Sequence, residues 1–548
     1  MRNLNSLSKF VGLSFMLFFI SLATSQAQTS YYFYVQFVDK KNTPYSLSNP
    51  SQYLSERAIS RRIGFGLKCD STDLPVNPSY LQQIRNIGIP VHNISKWMNS
   101  ATVLLTDSSL MSQVRGLPFV KFVEYTGKLE GAAFAPPSKV STKKAFDYGV
   151  AEAQISQLDG KNLHNEGYRG KGIQIGVIDA GFTNVNINPA FDSLRLQGRL
   201  LGTKDIINPM SNIYNEDSHG AMVLATMTGN LPGKFLGTAP DASFWLIRTE
   251  YGPTEYKVET DFWASGIEFA DSVGVDVVNS SLGYSTFDDP KMNFTYSDMN
   301  GKVSRASRAA NLASKKGIIV LVSAGNDGNS NWHYIDSPAD ADGIIAVGSV
   351  NSIGTSSVFS SFGPSSDGRV KPEVCALGTA ASVVNISGVP TFGSGTSFST
   401  PIMAGMIACL LQRYKAMNTI LNVTTLLNAV FKSGSLYNNP TEQKGYGIPD
   451  FANVEQNLRI FDSLFKDGKN DFIIAYNSFF KTINIRFIDG INPINTIVRI
   501  YTISGSLIVN QSITDSSFFL KTDKLAPGIY AVCVSENGNT DTKKIIIQ

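Results

Sequence analysis

The chain has 548 residues, 43% of them hydrophobic and 17% charged, with a formal net charge of +3. That composition excludes a disordered protein, and without a dense Lys/Arg run it excludes a nucleic-acid-binding footprint. Four cysteines (Cys69, Cys375, Cys409 and Cys533) are too few for a disulfide framework, and four histidines (His92, His164, His219 and His333) bound any imidazole chemistry.

Arg2 and Lys9 precede the apolar run FVGLSFMLFFISLA, and the small-x-small site SQA ends at Ala27. Residues 1–27 therefore read as a secretory signal peptide, too short to span a bilayer. No later run reaches the ~18 apolar residues of a membrane span, so the expected product is exported and soluble. Residues 28–129 open on the strand-like YYFYVQFVD and close on GLPFVKFVEY. A polar helix-like stretch, SERAISRR, and the strand-like SATVLL lie between, which predicts a small α+β unit. Residues 130–145, EGAAFAPPSKVSTKKA, have the makeup of an exposed, cleavable linker.

Residues 146–456 alternate Ile/Val-rich runs with helix patterns. The strands are expected at 173–179, 242–248, 275–281, 318–324 and 344–350, near-continuous in apolar residues as in parallel strands buried on both faces. Helices are expected at VLATMTG, TDFWASGIEFADSVG and RASRAANLASKKG, and the alternation predicts an α/β, doubly wound, mostly parallel sheet. From 457 to 548 the helix patterns stop. TINIRF, TIVRIYTISG, SLIVNQSI, SFFLKTDKL and GIYAVCVSENG alternate apolar with polar residues, as in an antiparallel β-sandwich.

Four positions in the α/β region carry chemistry-bearing side chains at expected strand ends or helix starts. Asp179 closes IQIGVID, His219 opens the helix pattern after NEDS, Asn326 follows a core strand in SAGND, and Ser397 stands in GSGTSFSTP ahead of IMAGMIACLL. Each has a plain reading alone: a turn acid, a first-turn histidine, a turn asparagine, and a serine cap with Pro401 in the first turn. Together they supply a nucleophile, a base for its proton, an acid to hold the base, and a donor for the oxyanion. Such sheets gather functional residues at the carboxyl edges of their strands. Placement at a helix start also adds the Ser397 amide and the positive end of the helix dipole.

The successive stretches GVIDAGF, HGAMVLATMTG, NSSLG, SAGND and GTSFSTP resemble the signatures of subtilisin-like serine proteases, whose triad order is Asp, His, Ser. The resemblance implies a secreted serine endopeptidase of subtilisin-like fold, with Asp179, His219 and Ser397 as triad and Asn326 in the oxyanion hole. It implies further that Ser281, Leu282 and Gly283 form the edge on which an extended peptide adds as a strand, and that Ala324 and Gly325 wall the primary specificity pocket. Two departures stand out: HGAMVLA lacks the second histidine of the usual HGTHVAG, and Phe398 and Ser399 replace the commoner Met and Ala. Both leave the proton-transfer groups in place and bear on pocket shape.

Segment 83–124 resembles the propeptide of the same family, which implies that the chain's own propeptide acts as an inhibitor. The C-terminal stretches VRIYTISGSLIV, LAPGIYAVCV and KKIIIQ resemble the sorting domains of the type IX secretion system of Bacteroidetes, without the usual Pro-Asn-Pro. This implies the secretion machinery as a partner, and secretion or attachment at the cell surface. The chemistry requires no cofactor and no metal. A structural calcium is common in such enzymes, but at Asp298, Asn300 and Gly301 too few carboxylates cluster, and a solvent loop is expected there. His92, His164 and His333 are expected to be bystanders. The competing reading is a catalytically inactive subtilisin-fold surface protein that binds peptides or glycans. An α/β-hydrolase esterase is excluded because Ser399 stands where its nucleophile elbow requires glycine.

Overall fold

In SYYFYVQF every position is large and apolar or aromatic apart from Ser30 and Gln36, so a strand here buries both faces. The computed structural model describes residues 29–129, 148–416, 423–454, 472–477, 482–487, 496–513, 517–522, 525–536 and 539–547. The expected signal peptide (1–27) and linker (130–145) lie outside them.

In the N-terminal unit, β1 (Ser30–Phe37) is followed by α1 (Glu56–Gly64), α2 (Pro78–Asn86), β2 (Val91–Ser95), β3 (Ser100–Leu105) and β4 (Val120–Leu129). The strands form one antiparallel sheet in the order β2-β3-β1-β4. The period of two along β1 sends Phe33, Val35 and Phe37 into the unit's own core with Ile84 and Val103. Tyr32 and Tyr34, on the other face, pack with the helices of the next domain: Tyr32 meets the Phe262 ring edge-on at 5.5 Å, and the Arg305 guanidinium lies 4.2 Å over the Tyr34 ring.

The α/β domain runs through β5 (Gln174–Asp179), β6 (Leu200–Asp205), α3 (His219–Thr228), β7 (Ser243–Arg248), α4 (Val258–Val273), β8 (Val277–Ser280), α5 (Arg305–Lys315), β9 (Ile319–Ser323), β10 (Ile345–Val350), β11 (Val374–Leu377) and α6 (Thr396–Ala416). Its seven strands are parallel, in the order β11-β10-β9-β8-β5-β7-β6. Alternate residues divide between the two faces. Val177, Ile319 and Leu321 join the core under α3 and α6, while Ile178, Val320 and Val322 join the core under α4 and α5. All five expected strands are present. The structure adds β6 and β11 at the two sheet edges, where a Gly-Thr-Lys sequence and a four-residue length gave little apolar pattern.

The chain order reverses between β5 and β8, and at such a switch point the strand ends part to leave a crevice. Among the described C-terminal residues, β12 (Phe472–Asn477), β13 (Thr482–Phe487), β14 (Thr496–Thr502), β15 (Leu507–Ile513), β16 (Ser517–Lys521), β17 (Gly528–Glu536) and β18 (Asn539–Ile547) form two antiparallel sheets, β12-β13-β16 and β15-β14-β17-β18. One apolar cluster containing Ile483, Ile485, Val498, Ile500, Val532 and Val534 joins them as a sandwich.

Candidate active site

Asp179 terminates β5 at the switch point and is fully buried. A buried carboxylate is stable only with partners. Its Oδ1 accepts hydrogen bonds from the Ala180 amide and from His219 Nδ1, each at 2.8 Å. The approach depends on Gly220, because a Cβ there would lie 2.4 Å from the Gly181 carbonyl oxygen and 2.9 Å from Asp179 Cβ. At the start of α3 the His219 amide donates to Asp217 Oδ1 at 2.7 Å, which ties down the backbone that carries the ring.

Burial alone would lower the His219 pKa. The Asp179 carboxylate, with Glu250 and Asp217 beyond it, more than reverses that and raises it to about 9. Glu250 follows β7 and is itself raised to about 7, first by burial and then by repulsion from Asp179. Sequence reasoning missed Glu250, since RTEYGPTE looks like an ordinary polar loop.

Helix α6 begins at Thr396, so Ser397 stands inside the first turn and is not the cap that the sequence suggested, and Pro401 is the sixth helical residue. Proline has no amide to offer the carbonyl four residues earlier. That carbonyl belongs to Ser397, and the Ser281 hydroxyl donates to it at 2.8 Å. In return the Ser397 hydroxyl donates to the Ser281 carbonyl at 3.3 Å. Among the described residues' hydrogen bonds, Ser397 Oγ makes this one and none to His219. The ring of its neighbour Phe398 lies 6.1 Å from the imidazole, centroid to centroid, which brings the two helix starts together.

Asn326 leaves β9 for solvent with its side chain anchored. Its Oδ1 accepts from the Thr396 amide at 2.9 Å and from the Thr396 hydroxyl at 3.0 Å. This leaves the amide nitrogen free to donate. A Cβ built on Gly395 would lie 3.7 Å from both Asn326 Nδ2 and the Ser397 amide nitrogen. The glycine thus keeps open a volume bordered by two N–H donors. Thr396, which fixes the asparagine, carried no sequence signal beyond its place beside Ser397.

The expected substrate edge follows β8. Ser281 and Leu282 are buried, Gly283 is exposed, and the Leu282 carbonyl accepts from the Ser323 hydroxyl at 3.2 Å. Ala324 is buried, and Gly325 takes φ +112°, a conformation that favours glycine. The structure brings Asp179, His219, Ser281, Leu282, Gly283, Ala324, Gly325, Asn326 and Ser397 to the carboxyl ends of three neighbouring strands and the two helices above them.

The remaining residues lie elsewhere. Asp298 Oδ2 accepts from the Thr295 amide and hydroxyl, and Asn300 Oδ1 from the Lys302 amide, so both side chains serve their own turn. Among the described residues no three His, Cys, Asp or Glu side chains gather as metal ligands. Cys375 and Cys409 are buried and free. His164 is bonded to the Tyr148 hydroxyl and the Thr238 carbonyl, His333 stacks on Phe362, and His92 sits between Tyr32 and Phe262.

Comparison with known proteins gives three family matches: the subtilase family over residues 170–447, the Bacteroidota peptidase S8 propeptide domain over 32–144, and a secretion-system C-terminal sorting domain over 478–548. Subtilisin NAT of Bacillus subtilis subsp. natto is 28% identical over 323 residues, which is 58% of this chain and 72% of that protein. The subtilisin of Bacillus pumilus is 29% identical over 264 residues, 47% of this chain and 84% of its own. Among solved structures, the prenylagaramide maturation protease PagA shares 22% identity with a TM-score of 0.44, covering 55% of this chain and 98% of that one.

Proposed function

The chain belongs to the subtilase family and is a serine endopeptidase, and we propose that Asp179, His219 and Ser397 are its catalytic triad, with Asn326 and the Ser397 amide as oxyanion donors. The observation that carries this assignment is the 2.8 Å bond from His219 Nδ1 to buried Asp179, set beside the Ser397 helix start. Nδ1 donates to the Asp179 carboxylate, and Nε2 is left as the base.

Rotation about the Ser397 side chain exchanges the Ser281 carbonyl for His219 Nε2, a bond that commonly tightens only with substrate present. His219 takes the hydroxyl proton as Oγ attacks the scissile carbonyl, and Asp179 stabilises the imidazolium. The oxyanion moves into the volume over Gly395, between Asn326 Nδ2 and the Ser397 amide. His219 then protonates the leaving amine, which breaks the peptide bond and leaves an acyl-Ser397. A water activated by the same imidazole hydrolyses that ester. The peptide's main chain pairs with Ser281–Gly283, and the side chain before the cut enters between that edge and Ala324–Gly325. No cofactor takes part in these steps.

The C-terminal sorting domain marks the chain for export, and the propeptide-type domain docks on the peptidase. The finer assignments are that 1–27 is cleaved on export, that the N-terminal domain inhibits until the linker is cut, and that the sandwich is handed to the secretion machinery. A fluorophosphonate tests the active-site assignment. The processed wild type incorporates one label per chain and Ser397→Ala incorporates none; an unlabelled, processed wild type would instead identify a peptide-binding surface protein.

A further inference from the structure

Asp336 is 5% exposed, and its Oδ1 has no hydrogen-bond partner. Its amide donates to the Ala324 carbonyl at 3.1 Å, which ties it to the segment leading into Asn326. Two glycines face this carboxylate. A Cβ on Gly283 would lie 3.1 Å from Asp336 Oδ2, and a Cβ on Gly325 would lie 2.3 Å from the same oxygen. Gly283 belongs to the substrate edge and Gly325 adjoins the oxyanion donor, so the absence of side chains there lets the Asp336 carboxylate pack directly against the two segments that border the expected specificity pocket. Gly283 is exposed, so the carboxylate is approached from solvent on that side.

The other polar groups about the carboxylate are Ser285, Trp332, Ser361 and Asp327. Burial, and then the neighbouring charge of Asp327, push the Asp336 carboxyl well above the usual carboxylate range. Among the described residues neither Asp327 nor Asp336 carries an ion pair. Asp336 is buried and Asp327 half-buried beside it, and with no cation of the chain's own at hand, a cation brought by a substrate is what would let the Asp336 carboxyl ionise.

Resting on the peptidase reading, we propose that Asp336, with Asp327 beside it, selects substrates carrying arginine or lysine immediately before the cleaved bond. The cationic side chain passes along the Gly283 edge and meets the Asp336 carboxylate at Oδ2, the oxygen that faces both glycines. A buried carboxyl that ionises only against a cationic substrate discriminates far more strongly than a difference in size.

The test uses processed full enzyme and five peptide coumarin amides that differ only in the last residue: Arg, Lys, citrulline, Leu or Phe. Citrulline keeps the shape of arginine without its charge. The expected kcat/KM for Arg and Lys exceeds that for citrulline, Leu and Phe by at least about 100-fold. Asp336→Asn is expected to abolish most of the preference and retain fluorophosphonate labelling, which shows that the variant is folded. Should Asp336→Asn not label, Asp327→Asn replaces it and is expected to reduce the same ratio. Equal or better cleavage after Leu or Phe by a labelled wild type overturns the inference and leaves the peptidase reading intact, whereas absence of label overturns both. The peptide SKVSTKKAFDYG, residues 138–149 of this chain, gives a second readout. Cleavage after a lysine supports the proposal, and cleavage confined to sites after Val140 or Phe146 counts against it.

Discussion

The seam between the N-terminal domain and the peptidase and the cleft at the sheet's carboxyl edge both bury acids, and they balance them in opposite ways. At the seam the cations come from the chain itself. Arg61 and Arg62 of α1 meet Asp271 of α4 at 2.5 and 2.6 Å, and Arg62 also meets Asp73 at 2.7 Å. Lys316 closes on Asp73 at 2.9 Å, and Glu268 accepts from Ser95 and from the Lys96 and Trp97 amides. In the cleft Asp179 has one titratable partner, His219, while Glu250 and Asp336 have no fixed cation among the described residues. A closed ion-pair network holds two surfaces together, and an open one waits for a proton or a substrate.

The largest effect breaks the cleft: Ser397→Ala is expected to lower kcat by about 10⁶-fold, measured on a peptide amide. It also gives an uncleaved chain in which the seam can be studied. In that background Arg62→Ala leaves Asp271 and Asp73 with fewer cations in a buried site. A loss of about 3–5 kcal/mol is expected, read as a lower urea midpoint for the coupled domains. Asn326→Ala removes one of two oxyanion donors, and kcat is expected to fall by about 10²–10³-fold with little change in KM.

Two pH profiles sharpen the contrast. The His219 pKa is raised, so the stability from its pair with Asp179 is full below 6.5 and is lost as pH rises through about 9. The same deprotonation frees Nε2 to act, so kcat/KM of the processed enzyme is expected to climb through about 9. Glu250→Gln is expected to move that limb to lower pH, because a negative neighbour of the imidazolium is gone. Asp73 at the seam has the opposite sign. Burial pushes its pKa up, but Arg62 and Lys316 outweigh this and hold it at about 2. Its contribution is present above 3.8 and is expected to disappear as pH falls through about 2, seen as acid weakening of the Ser397→Ala chain.

Much of this was legible in the chain. Strand runs such as IQIGVID and IIVLVSA announced themselves because parallel strands are apolar on both faces, and Asp179, Asn326 and Ser397 were visible as polar residues that interrupt or follow such runs. The edge strands were not, since Leu200–Asp205 is half polar and Val374–Leu377 is short. The seam was equally hidden: SERAISRR reads as a solvated helix until Asp271, some 210 positions away, turns its arginines into buried partners.

The sequence by itself determined the order of domains, the parallel sheet and the candidates for the reacting groups, because hydrophobic period and turn residues act over a few neighbours. Only the tertiary structure decided that Ser397 lies within its helix with its carbonyl answered by Ser281, that Thr396 aims Asn326, and that Asp336 sets its carboxylate against Gly283 and Gly325. Those relations join residues that are 116, 70 and 53 positions apart. Contacts of that range arise from packing, and local pattern does not encode them.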